Sequence, residues 1–190
     1  MNMLLIILFT NMEDSFSNLI KTINYSDKLM NEDEKTVVIF PIFTAIAYNE
    51  PDFYNYYKKE CDVSCLTVTI KLILGTEIGE NTAQILKLLN HNFLSDIDLD
   101  KNPEILKDFD KVILLHNEYV TKTEFNAIRS HPNVIYLYPN VLYAEVSIDY
   151  KQNTIILING HGFPKNNIKN GFNWEFDNTH PYEYDWECNN

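Results

Sequence analysis

Apolar residues recur along this chain in short runs and one-sided faces, and the pattern predicts strands alternating with helices. Thr36–Phe40 is a β-branched run stopped by Pro41. Residues 66–74 (LTVTIKLIL) alternate as a strand should, and 112–115 and 134–137 form two further apolar runs. Residues 141–148 and 154–158 predict a hairpin turning at 150–153. Helical spacing marks 14–30 through Phe16, Leu19, Ile20 and Ile23, and 81–90 through Ile85, Leu86 and Leu89. Phe53, Tyr54 and Tyr57 suit a helix face entered after Pro51. Asn102-Pro103 opens a short helix, and Thr121 caps another over 122–130, with Glu124 completing a capping box. Residues 93–99 read as a short strand carrying Asp96, Asp98 and Asp100 along a solvated edge. Residues 3–9 read as a first strand. They are too short to span a bilayer, and they lack the positive start and small-residue cleavage site of a leader.

The stretch 110–149 repeats the unit of parallel α/β sheets: strand, polar loop, helix, strand. The expected fold is therefore α/β, a single domain over 1–190 with a mainly parallel central sheet and helices on both faces. Residues 160–190, rich in Asn, Pro and aromatics, predict an irregular segment packed on that domain or partly free. Ligands in such sheets gather beyond the carboxyl ends of the strands, where His116-Asn117-Glu118-Tyr119 falls.

Composition narrows the function. The 190 residues carry a formal net charge of −12 and a single arginine, Arg129, so the average field repels nucleic acid. Five glycines are too few and wrongly placed for a dinucleotide or triphosphate loop, and no nucleotide cofactor is expected. No Gly-x-Ser-x-Gly elbow occurs. Twelve Tyr and eleven Phe predict aromatic walls in the core and around any cleft. Cys61 and Cys65 read as a small disulfide loop or two free thiols, with a metal pair the least favoured of the three, and Cys188 stands apart. The compartment stays open, with the cytoplasm slightly favoured over export; no membrane span is expected, and self-association is left open.

An imidazole, a carboxylate and a phenol within four residues (His116, Glu118, Tyr119) suit general acid–base work or metal ligation. Gly160 and Gly162 free His161 to point into a cleft. With His180, Glu175, Asp177 and Glu183, it could complete a zinc or iron site around His116. No cysteine follows a strong strand, so a thiol nucleophile is not expected.

LLHNEYVTKTEF followed by NVIYLYPNVLYAEV resembles the C-terminal domain of the large subunit of N,N-dimethylformamidases, of the class I glutamine-amidotransferase-like fold. The residues that carry the resemblance are His116, Glu118 and Tyr119, then Asn140 and Tyr143. The chain also resembles a group of uncharacterised archaeal proteins throughout its length. It departs from the family pattern at Val120, where an aromatic is usual, and at His131-Pro132-Asn133, where a glycine pair is usual. The resemblance implies a flavodoxin-like sheet and a metal-assisted hydrolase of C–N (amide) bonds. It further implies ferric iron held by Tyr119, Tyr143 and a carboxylate, for which Glu145 and Glu175 are the candidates. Glu118, His116 and His161 are then the catalytic candidates. The alternative is a non-catalytic module that keeps the fold and binds a small molecule or a protein.

Overall fold

The computed structural model describes residues 35–48, 53–71, 80–138, 140–165 and 170–175, all within one compact unit spanning Lys35–Asn190. The expected first strand at 3–9, the helical face at 14–30, and His180, Asp177 and Glu183 lie outside the described residues.

Among the described residues, two four-stranded sheets form. Strands β1 (Thr36–Phe40), β3 (Asn92–Ser95), β4 (Lys111–Leu114) and β6 (Val134–Tyr136) make an all-parallel sheet in the order β3-β1-β4-β6. Its central strand β4 is buried at every residue, as expected of a parallel strand covered on both faces. In chain order the four strands run second, first, third, fourth, the order of an open doubly wound sheet with its reversal between β1 and β4. The α/β class read from the sequence is thus the one observed, with two sheets where one central sheet was expected.

The second sheet is mixed, in the order β2-β8-β7-β5, from β2 (Thr67–Thr69), β5 (Tyr119–Thr121), β7 (Ala144–Asp149) and β8 (Thr154–Asn159). β7 and β8 form the expected hairpin, and Asp149 Oδ1 accepts the backbone N–H groups of Lys151 and Gln152 in its turn. β5 pairs parallel to β7, a strand the pattern did not announce. The chain therefore crosses from one sheet to the other through residues 115–118, the polar cluster itself.

Helix α1 (Ile42–Ala47) follows Pro41, then α2 (Phe53–Tyr57), α3 (Glu80–Leu88), α4 (Asp96–Lys101) and α5 (Lys122–Ser130). A 3-10 turn, Val63–Leu66, precedes β2, whose described extent is shorter than the 66–74 run. Cys61 and Cys65 are joined as a disulfide. The capping box expected at α5 is present: Thr121 Oγ1 accepts from Glu124 N at 3.2 Å and Thr121 N donates to Glu124 Oε2 at 2.8 Å.

One expectation is corrected. The strand over 93–99 stops at Ser95, and Asp96 begins α4, fully buried rather than on a solvated edge. Ser95 and Asp98 form a capping box of their own, with Asp98 Oδ2 accepting from Ser95 N at 2.9 Å. These local bonds give the backbone a better partner than a continued ladder.

Two apolar cores result. One gathers Val37, Ile39, Leu99, Val112, Leu114 and Ile128 around the parallel sheet; the other gathers Phe43, Phe53, Val68, Val146, Ile155 and Leu157 around the mixed one. Alternation along β5 sends Tyr119 into the second core and Val120 into the first.

Candidate functional site

The crossing segment is held by backbone bonds on both sides. Asn117 O accepts from Leu142 N at 2.8 Å and Glu118 O from Ala144 N at 3.0 Å. From α1, the buried Thr44 hydroxyl accepts from Glu118 N at 3.0 Å and Tyr119 N at 3.2 Å. The segment follows β4, and α1 follows β1, so the cluster sits beyond the carboxyl ends of the two strands flanking the reversal.

Glu118 is fully buried, and both of its oxygens are engaged. Oε1 lies 3.0 Å from His161 Nε2; Oε2 accepts the Tyr48 hydroxyl in a short bond. His116 Nε2 lies 3.5 Å from the same Oε2, an ion-pair distance rather than a hydrogen bond. Burial pushes the carboxyl up more than any other single influence. The imidazoles of His116 and His161 together outweigh it and hold the group at about 2. Glu118 is therefore ionised, and its charge favours a hydrogen on His161 Nε2.

His161 arrives on a tight turn. Gly160 and Phe163 exchange both backbone bonds at 2.8 and 2.9 Å, and His161 and Gly162 between them have φ of +49° and +77°. Positive φ at both central positions is the type I′ pattern, which suits a glycine and strains a histidine. At Gly160, a Cβ would meet Ala144 Cβ at 2.9 Å, and φ is +125°. The turn thus drives the His161 ring in among tyrosines. The Tyr119 hydroxyl is 2.8 Å from Nε2, and the rings of Tyr143, Tyr119, Tyr57 and Tyr54 lie 4.7, 5.3, 5.8 and 6.3 Å from the imidazole. His116 is partly exposed, at 13%, and packs against the exposed Tyr138 ring at 3.7 Å.

His116, Glu118, Tyr119, Tyr143 and His161 are therefore brought together. Glu145 and Glu175 are not. The ladder pairs Glu145 with Val120 and Ala144 with Tyr119, so the Glu145 side chain leaves the sheet on the face opposite Tyr119. Glu175 is exposed beside Trp174, which packs on Phe125 in the other core. Neither candidate carboxylate, Glu145 or Glu175, is placed beside Tyr119 and Tyr143. Among the described residues, no three or more His, Cys, Asp and Glu are grouped to hold a metal ion. Tyr48 and Thr44 were not legible in the pattern, since Tyr48 lies 70 residues from the carboxylate it bonds.

A groove of about 580 Å³ lies elsewhere, between residues 103–109 and α5, and no member of the cluster lines it. No helix among the described residues is long and apolar enough to cross a membrane. No protein-family model matches this chain, and no curated protein matches it in sequence.

Proposed function

We propose that the Glu118–His116–His161 cluster is the acid–base centre of a small-molecule hydrolase acting on C–N bonds, within the amidotransferase-like group and without its thiol nucleophile. The observation that supports this best is a fully buried, ionised Glu118 placed between two imidazoles at the reversal point of a parallel sheet. His116, at the rim, takes a proton from water as the oxygen attacks an amide carbonyl, then returns it to the departing amine. Glu118 stabilises the imidazolium between those steps, while Tyr48 and His161 fix the carboxylate and the Tyr119 hydroxyl bonds His161. Cys61 and Cys65, tied in a disulfide, offer no thiolate.

The test is a panel of small formamides and primary amides, assayed by amine release. Replacing His116 by Gln should lower turnover about 10²- to 10⁴-fold. Turnover that survives this change would remove His116 as the base, and no turnover on any amide would favour the second reading, a non-catalytic ligand-binding module. That reading draws support from the full burial of Glu118 and Tyr119 and from the bonds both make to His161. Iron titration watched for a phenolate-to-iron absorption band, with Tyr119→Phe as control, would reopen the metal reading; no band removes it.

A further inference from the structure

A second set of buried acids lies at the other end of α1, and the cluster above does not use it. Asp96 is fully buried; Oδ2 accepts from Phe43 N at 2.8 Å, and Oδ1 has no hydrogen-bond partner. Glu124 is also fully buried; Oε2 accepts from Thr121 N, and Oε1 has no partner. Beside them, Asp100 accepts the Thr121 hydroxyl at 2.6 Å and the Tyr150 hydroxyl at 2.7 Å.

The charged groups on the surrounding elements are occupied elsewhere. Asp98 bonds Ser95, Lys101 lies over the Tyr150 ring, and Lys107 pairs with Glu104. Lys122 lies over Phe125 and Phe172, Arg129 over Trp174, and Asp149 caps its own turn. Asp108 is exposed, Glu145 is half-buried on β7, and Tyr48 bonds Glu118. Among the described residues, no cation pairs with Asp96 or Glu124.

We propose that Asp96 and Glu124 together retain at least one proton through the neutral range, and that losing it at higher pH loosens α1 and β5, and with them the loop bearing Glu118. Each carboxyl is withdrawn from water with one oxygen unpartnered and no cation paired to it, a setting in which a negative charge is strongly disfavoured and a retained proton removes that charge. Burial pushes both carboxyls well above their usual range, and for Glu124 the Asp96 charge adds to it. The mechanical link is short. Asp96 holds the N–H of Phe43, and the next residue, Thr44, holds the N–H groups of Glu118 and Tyr119. Glu124 holds the N–H of Thr121, at the end of the strand that Tyr119 begins.

The sign follows from linkage. Unfolded carboxyls ionise near pH 4, whereas the folded pair keeps its proton, so above that pH the unfolded state binds fewer protons. Stability therefore falls as pH rises, by about tenfold in the folding equilibrium constant per pH unit per retained proton, until the folded pair itself ionises. The experiment is a carbon-13 titration of the side-chain carboxyls in the wild type. Urea unfolding from about pH 5 to about pH 9 then compares wild type, Asp96→Asn and Glu124→Gln. At least one carboxyl should stay protonated above neutral pH. Glu124→Gln, which keeps an acceptor for Thr121 N, should flatten the alkaline slope and raise stability at the upper end of the range. Carboxyls that all titrate in the ordinary acid range, or a slope unchanged in both variants, would overturn the proposal. If neither variant folds, the wild-type titration alone decides.

Discussion

Glu118 and Glu124 stand six residues apart in sequence and are both fully buried, yet they are driven in opposite directions. Desolvation raises each. Glu118 meets two imidazoles and falls to about 2; Glu124 meets Asp96 and Asp100, and rises well above its usual range. Burial therefore does not set the charge of a carboxyl in this protein. The neighbours brought to it do, and opposed shifts in neighbouring acids are how one fold keeps a base and an acid ready at the same pH.

The sharpest way to break the contrast is to remove an imidazole. His161→Phe keeps the ring packing but leaves Glu118 Oε1 buried without its partner, and should destabilise the protein by about 3–5 kcal/mol, read by urea unfolding at neutral pH. A loss below about 1 kcal/mol would mean that the carboxylate is held by Tyr48 and His116 alone.

Acid provides the next test. A group whose folded pKa is depressed from 4.5 to about 2 adds stability that is present above the unfolded pKa and lost as pH falls through the folded one. Glu118 should contribute on the order of 3 kcal/mol, disappearing between about pH 4.5 and about pH 2. Glu118→Gln should lose that acid-side slope. The pair at Asp96 and Glu124 acts on the other side, at rising pH, so the two regions separate on a single stability–pH curve.

A smaller effect is expected from Thr44→Val, which keeps the shape and removes the acceptor for two buried N–H groups. The cost should be about 1–3 kcal/mol, since Glu118 N retains His116 O at 2.9 Å. An amide-exchange measurement should show Tyr119 N–H losing protection first. Equal protection in the variant would show that the clamp does not hold the loop.

Much of the scaffold was legible beforehand because its causes are local. The β-branched run of β1, its stop at Pro41, the Thr121–Glu124 capping box and the turn at 150–153 each depend on a few adjacent residues. Asp96 escaped because D-I-D-L-D alternates like a strand, while the capping partner of Ser95 is an aspartate where glutamate or glutamine is the usual sign. The short strand β5 escaped because three residues carry no period; its partner β7 lies more than twenty residues on.

Within the candidate site, the amino-acid order by itself determined that an imidazole, a carboxylate and a phenol leave the end of a parallel strand together, and that two glycines free a second histidine. Only the tertiary structure decided that His161 closes on Glu118, that Thr44 of α1 and Tyr48 just after it join, and that Glu145 turns to the opposite face of its sheet. It decided the charge states as well. A carboxyl's proton depends on the field and solvent at one point in space, and that point is assembled from residues distant along the chain.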